Sequence, residues 1–175
     1  MKILMVIAKT DFRDEEFLIP HNYFIGKGFE VEVVSSERGI CIGSHGAEVE
    51  AELSFEDVNT LDFNAVVLVG GSGSVSLDEN LDLEKILFEA RDNDLIIGAI
   101  CRSPVILAKA GLLKGHKVTV YPSDENIKEI KDDGAEYVAE GVVIDNKLVT
   151  ADGPESAEEY ASCIVILLKH GTCNK

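Results

Sequence analysis

Apolar positions along this chain fall into blocks of two different periods. Lys2 to Ile7, Ala65 to Val69 and Leu95 to Ile100 are short, nearly unbroken apolar runs. Such runs are too short for buried helices but suit strands covered on both faces. Phe29 to Ser35 reads as a further strand. Leu81 to Asn93 has helical spacing instead, with Leu83, Ile86, Leu87 and Ala90 on one face, and Glu155 to Lys169 repeats it at Ala161, Ile164, Val165 and Leu168. An acidic start at Asp14 to Glu16 opens a first helix that ends near Gly26 or Gly28, and Pro20 inside it implies a kink or a late start. Period-two alternation through Val49 and Ala51, after the turn residues Gly43 to Gly46, predicts a hairpin. Shorter strands are expected around Lys117 to Val120, Ala135 to Val138, Val142 to Ile144 and Leu148 to Thr150, with a helix from Ser123 or Asp124 to Lys131.

Strands alternating with helices predict an α/β fold: one doubly wound, mostly parallel sheet with helices on both faces. A single domain is expected over residues 1–171, followed by a tail at 172–175. In such sheets the site lies beyond the carboxyl ends of the strands, where the strand order reverses. The end of the first strand, the GGSGS loop from Gly70 and the residues after Ile100 should meet there.

Cys101 stands at that last position. Arg102, Ser103 and Pro104 follow the apolar run, with Ser103 placed as an N-cap, Pro104 at the first helical position and Gly111 just past the helix end. The residues two before and two after Cys101 are Ala99 and Ser103, both small. Small-x-nucleophile-x-small is the pattern of a nucleophile elbow, a turn too tight for bulky neighbours. Backbone N–H groups at the helix start and the adjacent Arg102 would both favour a thiolate. The competing reading of Cys101 is a small hydrophobe that ends a strand.

Composition narrows the function. The 175 residues are enough for a full core; 46% are apolar and 27% charged, as in ordinary globular domains. Lys and Arg number 16 against 32 Asp and Glu, a net charge of −16. Nucleic acid and anionic membrane surfaces would be repelled, so neither is expected as a partner. No apolar run has membrane length, and the apolar start is too short for a signal peptide. Cys41, Cys101, Cys163 and Cys173 lie far apart with no metal-ligand spacing, which predicts reduced thiols in a cytoplasm, no metal and no cofactor.

Glu16 belongs to the same crevice as Cys101 on this topology. A protonated carboxyl beside a thiolate donates a hydrogen bond to it, and the thiolate in turn raises the carboxyl's own pKa. The pair would serve as nucleophile and general acid/base. Asp14 and Glu15 compete for the role, and all three also complement a helix N-terminus. Gly70 and Gly71 allow backbone N–H groups to approach a ligand and form an oxyanion hole, though a flexible loop has the same residues. All four histidines, His21, His45, His116 and His170, read as surface residues first; His45, in the hairpin turn, can also reach the crevice of its own or a neighbouring subunit.

These motifs together resemble the PfpI intracellular protease family, in the superfamily that includes the Parkinson's-disease-associated redox chaperone. FRDEEFLIP resembles that family's first-helix motif, ERGICIGSHG its hairpin and VVLVGGSG its strand with diglycine. GAICRSPVILAKAGLLKG resembles its nucleophile elbow, and TVYP and LVTADGPESAEEYA also fit. The resemblance implies a flavodoxin-like sheet, Cys101 as nucleophile, Glu16 as its partner and homo-oligomers from dimer to hexamer. Gly70, Gly71, Arg102 and Tyr121 are then the expected oxyanion-hole and substrate-binding residues. Two departures bear on activity. Peptidase members carry His directly after the nucleophile, where this chain has Arg102, and a Glu past the diglycine of a neighbouring subunit, where Val75 stands nearest. Arginine accepts no proton at neutral pH, so it is no general base, but it can hold a thiolate or a substrate carboxylate. Tyr121 occupies a place where the redox-chaperone branch has His, and its phenol can donate to a substrate oxygen. Three readings follow: a Cys101–Glu16 enzyme on small carbonyl compounds of the glyoxal or glycation type, an oligomeric cysteine peptidase acting on peptides, and a non-enzymatic redox sensor or stress chaperone oxidised at Cys101.

Overall fold

In a computed structural model that describes residues 1–172, the first half of the chain runs β1 (Lys2–Val6), β2 (Thr10–Phe12), α1 (Asp14–Gly26), β3 (Glu30–Ser35), β4 (Gly39–Gly43), β5 (Glu48–Ala51), β6 (Leu53–Ser54) and β7 (Ala65–Leu68). The second half adds α2 (Leu81–Asp92), β8 (Ile96–Ile100), α3 (Pro104–Lys109), β9 (Lys117–Val118), α4 (Asp124–Asp132), β10 (Glu136–Tyr137), β11 (Val142–Asp145), β12 (Leu148–Ala151) and α5 (Ala157–His170). Cys173 and the expected tail beyond Thr172 lie outside the described residues.

The main sheet has seven strands in the order β11-β12-β8-β7-β1-β3-β6. Every pairing in it is parallel except β11 with β12. Side chains of a strand alternate between faces, and both faces of this sheet are dry. Leu4 and Val6 of β1 join one buried cluster with Leu83, Ile86 and Leu87 of α2 and Val105 to Ala108 of α3. Ile3 and Met5 join another with Phe17 and Phe24 of α1 and Tyr160, Ala161 and Ile164 of α5. Each fully buried leucine or isoleucine contributes about 1.5–3 kcal/mol. This two-sided burial is why the central strands are apolar without alternation.

The chain leaves β1 toward β3 on one side and returns through β7 to β8 on the other, so the strand order reverses between β1 and β7. The doubly wound, flavodoxin-like α/β arrangement is thereby observed. Over the crevice at the strand ends lies a second sheet of β2, β4 and β5. Its hairpin matches expectation, whereas β2 was not foreseen. Helix α1 begins at Asp14 and runs through Pro20, which excludes a late start. The proline ring removes the N–H that would otherwise meet the Glu16 carbonyl.

Candidate active site

Cys101 sits where β8 ends, with φ +62°. A cysteine in the left-handed region is strained and persists only where its surroundings hold it. Here the holding groups can be named. The Cys101 N–H donates to the Ala151 carbonyl at 2.8 Å, and the Cys101 carbonyl accepts from the Tyr121 N–H at 2.8 Å. Ser103 occupies the N-cap position of α3, but its side chain does not cap the helix. Its hydroxyl instead accepts from the Ile100 N–H at 2.8 Å and lies within donating distance of the Leu68 and Ile100 carbonyls, at 3.1 and 2.8 Å. The hydroxyl staples the ends of β7 and β8 together beneath the nucleophile. Ala99 and Ser103 are wholly buried, as the elbow pattern requires.

The three consecutive carboxylates of α1 point to three different partners. Asp14 accepts from the backbone N–H groups of His45 at 2.8 Å and Ala47 at 2.7 Å. Burial opposes its ionisation, but these donors prevail and hold its carboxyl below the usual range. Glu15 pairs with the Arg13 guanidinium at 2.8 Å and faces the His45 ring at 3.4 Å. Glu16 alone turns inward, with no exposed surface. Its Oε2 accepts from the Gly70 N–H at 3.1 Å, and its Oε1 has no fixed partner. The Cys101 thiol is the side chain that interacts with this carboxyl. The geometry thus selects Glu16 from the three candidates.

Burial pushes the Glu16 carboxyl up to about 7, against the pull of Cys101 and Gly70. Burial also pushes the Cys101 thiol up, to about 12, with the negative charge of an ionised Glu16 adding to the effect. The N–H groups of Gly71 and Arg102 act on the sulfur in the opposite direction. Two groups this close lose their protons as a pair, in one early and one late step. The second negative charge is the one the site resists.

Two of the expected site residues hold partners within the chain. The Gly70 N–H is engaged by Glu16, so it is not open to a substrate oxyanion; the space above Gly70 is filled by functional atoms. A Cβ there would lie 2.5 Å from Glu16 Oε2 and 2.7 Å from Cys101 Cβ. Gly71 has φ +102°, and a Cβ there would strike the Arg13 N–H nitrogen at 2.5 Å. Arg102, expected to hold a thiolate or substrate, is instead bound in a two-pronged pair to Asp78 at 2.8 and 2.6 Å. Lys109 completes this cluster at 2.9 Å from the same carboxylate. Burial works against the Asp78 charge, yet the donors from Arg102 and Lys109 hold its carboxyl below the usual range.

Around Cys101 opens a cavity of about 830 Å³ whose wall includes Glu16, His45, Gly71, Arg102 and Tyr121. Tyr121 is half exposed there, and Val75 also lines the cavity, but the carboxylate that faces residue 102 is Asp78. Asp78 was not foreseen because it follows an irregular 3₁₀ stretch, Ser72–Leu77, with no periodicity to place it. Tyr160 was missed as well. Its ring belongs to the apolar face of α5, and its hydroxyl packs buried and unpartnered against Gly98, within the field of Glu16. Among the described residues no cluster of His, Cys, Asp and Glu is arranged to hold a metal ion.

Comparisons with known proteins bear on the whole chain. The model of the DJ-1/PfpI family matches residues 1–166. An uncharacterised protein of Methanocaldococcus jannaschii is 46% identical over 160 residues, covering 91% of this chain and 78% of that one. A protein of Pyrococcus horikoshii named as a deglycase is 35% identical over 173 residues, covering 97% of this chain and all, 100%, of the other. The crystal structure of a ThiJ/PfpI domain protein from Brachyspira murdochii superposes with a TM-score of 0.92 at 31% identity, over 96% of both chains. Over residues 1–166, nearly its whole length, the chain belongs to the DJ-1/PfpI family.

Proposed function

We propose that this protein is a cysteine-dependent enzyme acting on small carbonyl compounds of the glyoxal or glycation type. The observation that carries the reading is the buried Glu16 carboxyl against Cys101, at the floor of an open cavity. A carboxyl that keeps its proton near neutrality donates a hydrogen bond to a thiolate beside it, so that the pair reacts as thiolate and carboxylic acid. The naming of similar proteins as deglycases supports the same chemistry.

On an α-oxoaldehyde the thiolate adds to the aldehyde carbon, forming a C–S bond and a hemithioacetal. A proton then leaves that carbon and another arrives at the neighbouring one, giving a 2-hydroxyacyl thioester. Water cleaves the thioester to a 2-hydroxy acid and regenerates the thiol. The net change is addition of one water, with no external oxidant or reductant. Gly71 and Tyr121 line the cavity, and their N–H and hydroxyl would donate to the substrate oxygens.

A peptidase reading is less well supported, because Arg102 is tied to Asp78 and offers no base beside the nucleophile. We infer a homo-oligomer, to which the exposed Leu18 and Ile25 of α1 and Ile40 and Ile42 of β4 would contribute apolar surface. No disulfide joins Cys41, Cys101 and Cys163, which suits the reducing cytoplasm we assign to it. The test is methylglyoxal consumption with 2-hydroxy acid formation, by wild type and by Cys101→Ser. Turnover lost on substitution is the expected result. A mass gain of two oxygens on Cys101 with no turnover by wild type would favour the redox-sensor reading instead.

A further inference from the structure

A nucleophile and a buried carboxyl leave one need unmet, a proton carrier open to solvent. Glu16 is sealed from water and serves the sulfur. Arg102 releases no proton at neutral pH, and both it and Lys109 are held by Asp78. His45 is the imidazole on the cavity wall.

Its position is built rather than incidental. His45 belongs to the turn between β4 and β5, where Gly46 has φ +92°. The turn is fastened to the start of α1 from several directions. Asp14 accepts the His45 N–H at 2.8 Å and the Ala47 N–H at 2.7 Å, while the Ser44 N–H donates to the Phe12 carbonyl at 2.8 Å. Gly43 has no room for a side chain, since a Cβ would lie 2.5 Å from Asp14 Oδ2. The backbone of His45 is therefore held against the first residue of α1.

The ring is oriented as well. His45 Nδ1 lies 3.4 Å from Glu15 Oε1, and the other Glu15 oxygen is 2.8 Å from Arg13 Nε. A carboxylate opposite Nδ1 keeps the ring proton on that nitrogen and leaves Nε2 as the acceptor. The charged groups facing His45 are Glu15 and Arg13, with Asp14 beneath its backbone.

We propose that His45, oriented by Glu15, is the general base that activates the water which releases product from Cys101. The proposal rests on the thiol-ester chemistry above. In this step the water oxygen bonds to the acyl carbon and the C–S bond breaks. The sulfur leaves with its electron pair to rejoin Glu16, and the water proton passes to His45 Nε2 and then to bulk solvent. The base thus comes from the β4–β5 turn and not from residue 102.

Acylation of Cys101 by p-nitrophenyl acetate, followed by intact mass, separates the two halves of the reaction without requiring the natural substrate. In His45→Ala the acetyl group should load at the wild-type rate and leave more slowly by roughly 10²-fold, the usual worth of a general base. Added imidazole should restore release, which a purely structural role would not allow. Glu15→Gln should slow release while leaving loading unchanged, because the ring loses the carboxylate that orients it. Release at the wild-type rate in His45→Ala, on a Cys101 that does acylate, would overturn the assignment of His45 alone. Failure of wild-type Cys101 to acylate would overturn the thiol-ester reading together with it.

Discussion

Replacing Glu16 by Gln should remove activity and yet make the fold more stable above neutral pH. An unfolded glutamate ionises near its ordinary value of 4.5, whereas in the folded protein burial moves this to about 7. Between those values the folded state holds more protons than the unfolded one, so stability falls as pH rises. Below about 4.5 the contribution is fully present, and above about 7 it is fully lost. A difference of roughly 2.5 units corresponds to about 3 kcal/mol. The coupling to Cys101 does not change the sign, because the pair gives up its first proton late whichever atom carries the charge. For a chain of this size, each kcal/mol moves the melting temperature by about 2–4 °C, so a shift of the order of 6–12 °C is expected. Gln can still accept from the Gly70 N–H, so the change isolates the charge. Thermal melts of wild type and Glu16→Gln at pH 5 and pH 8 provide the assay. The variant should gain on wild type as pH rises; a constant difference across the range would show that Glu16 carries no such burden and would refute the argument.

The pH profile of Cys101 alkylation should differ between wild type and Glu16→Gln, because the two groups give up their protons as a pair; identical profiles would uncouple them, and no labelling of the native protein would make Cys101 a packing residue. Gly70→Ala should cost about 1–3 kcal/mol by overpacking and abolish turnover, since its methyl group would displace Glu16 or the elbow; a denaturant midpoint and activity equal to wild type would contradict the packing described. Asp78→Asn should loosen Arg102 and Lys109, and wild type should lose the Asp78 contribution only in acid, as pH falls through the lowered carboxyl value; acid melts in which the two proteins lose stability in parallel would deny that contribution. Light scattering should give a multiple of the 19.0 kDa chain mass, and a monomer at working concentration would remove the oligomer from the proposal.

The central sheet was legible because its strands are dry on both faces, and a run such as Leu95 to Ile100 has few other ways to fold. The elbow was legible for a different reason: Ala99 and Ser103 are small where a tight turn demands it. The choice among Asp14, Glu15 and Glu16 was not legible. All three are helix-start carboxylates, and only the positions of the β4–β5 turn and of Gly70 distinguish them. Strand β2 escaped because its three residues include Asp11 at φ +57°, a local backbone choice with no hydrophobic period. The Asp78 partner of Arg102 was not legible because it is fixed by the path of an irregular segment, and no spacing rule reaches across the 24 residues between them.

Asp14, Glu15 and Glu16 occupy consecutive positions of one helical turn, each about 100° further around the axis. One latches the hairpin, the next orients an imidazole and the third meets the nucleophile. Their duties are therefore set by angular phase, and phase is set by the link from β1 to α1. Adding or deleting a single residue in helical register after Arg13 would rotate all three at once and assign each the wrong neighbour. The chain should tolerate length changes at the Asn146 turn, far from the carboxyl ends of the strands, and reject them here. The short segment between Ala8 and Asp14 works as a reading frame for the site.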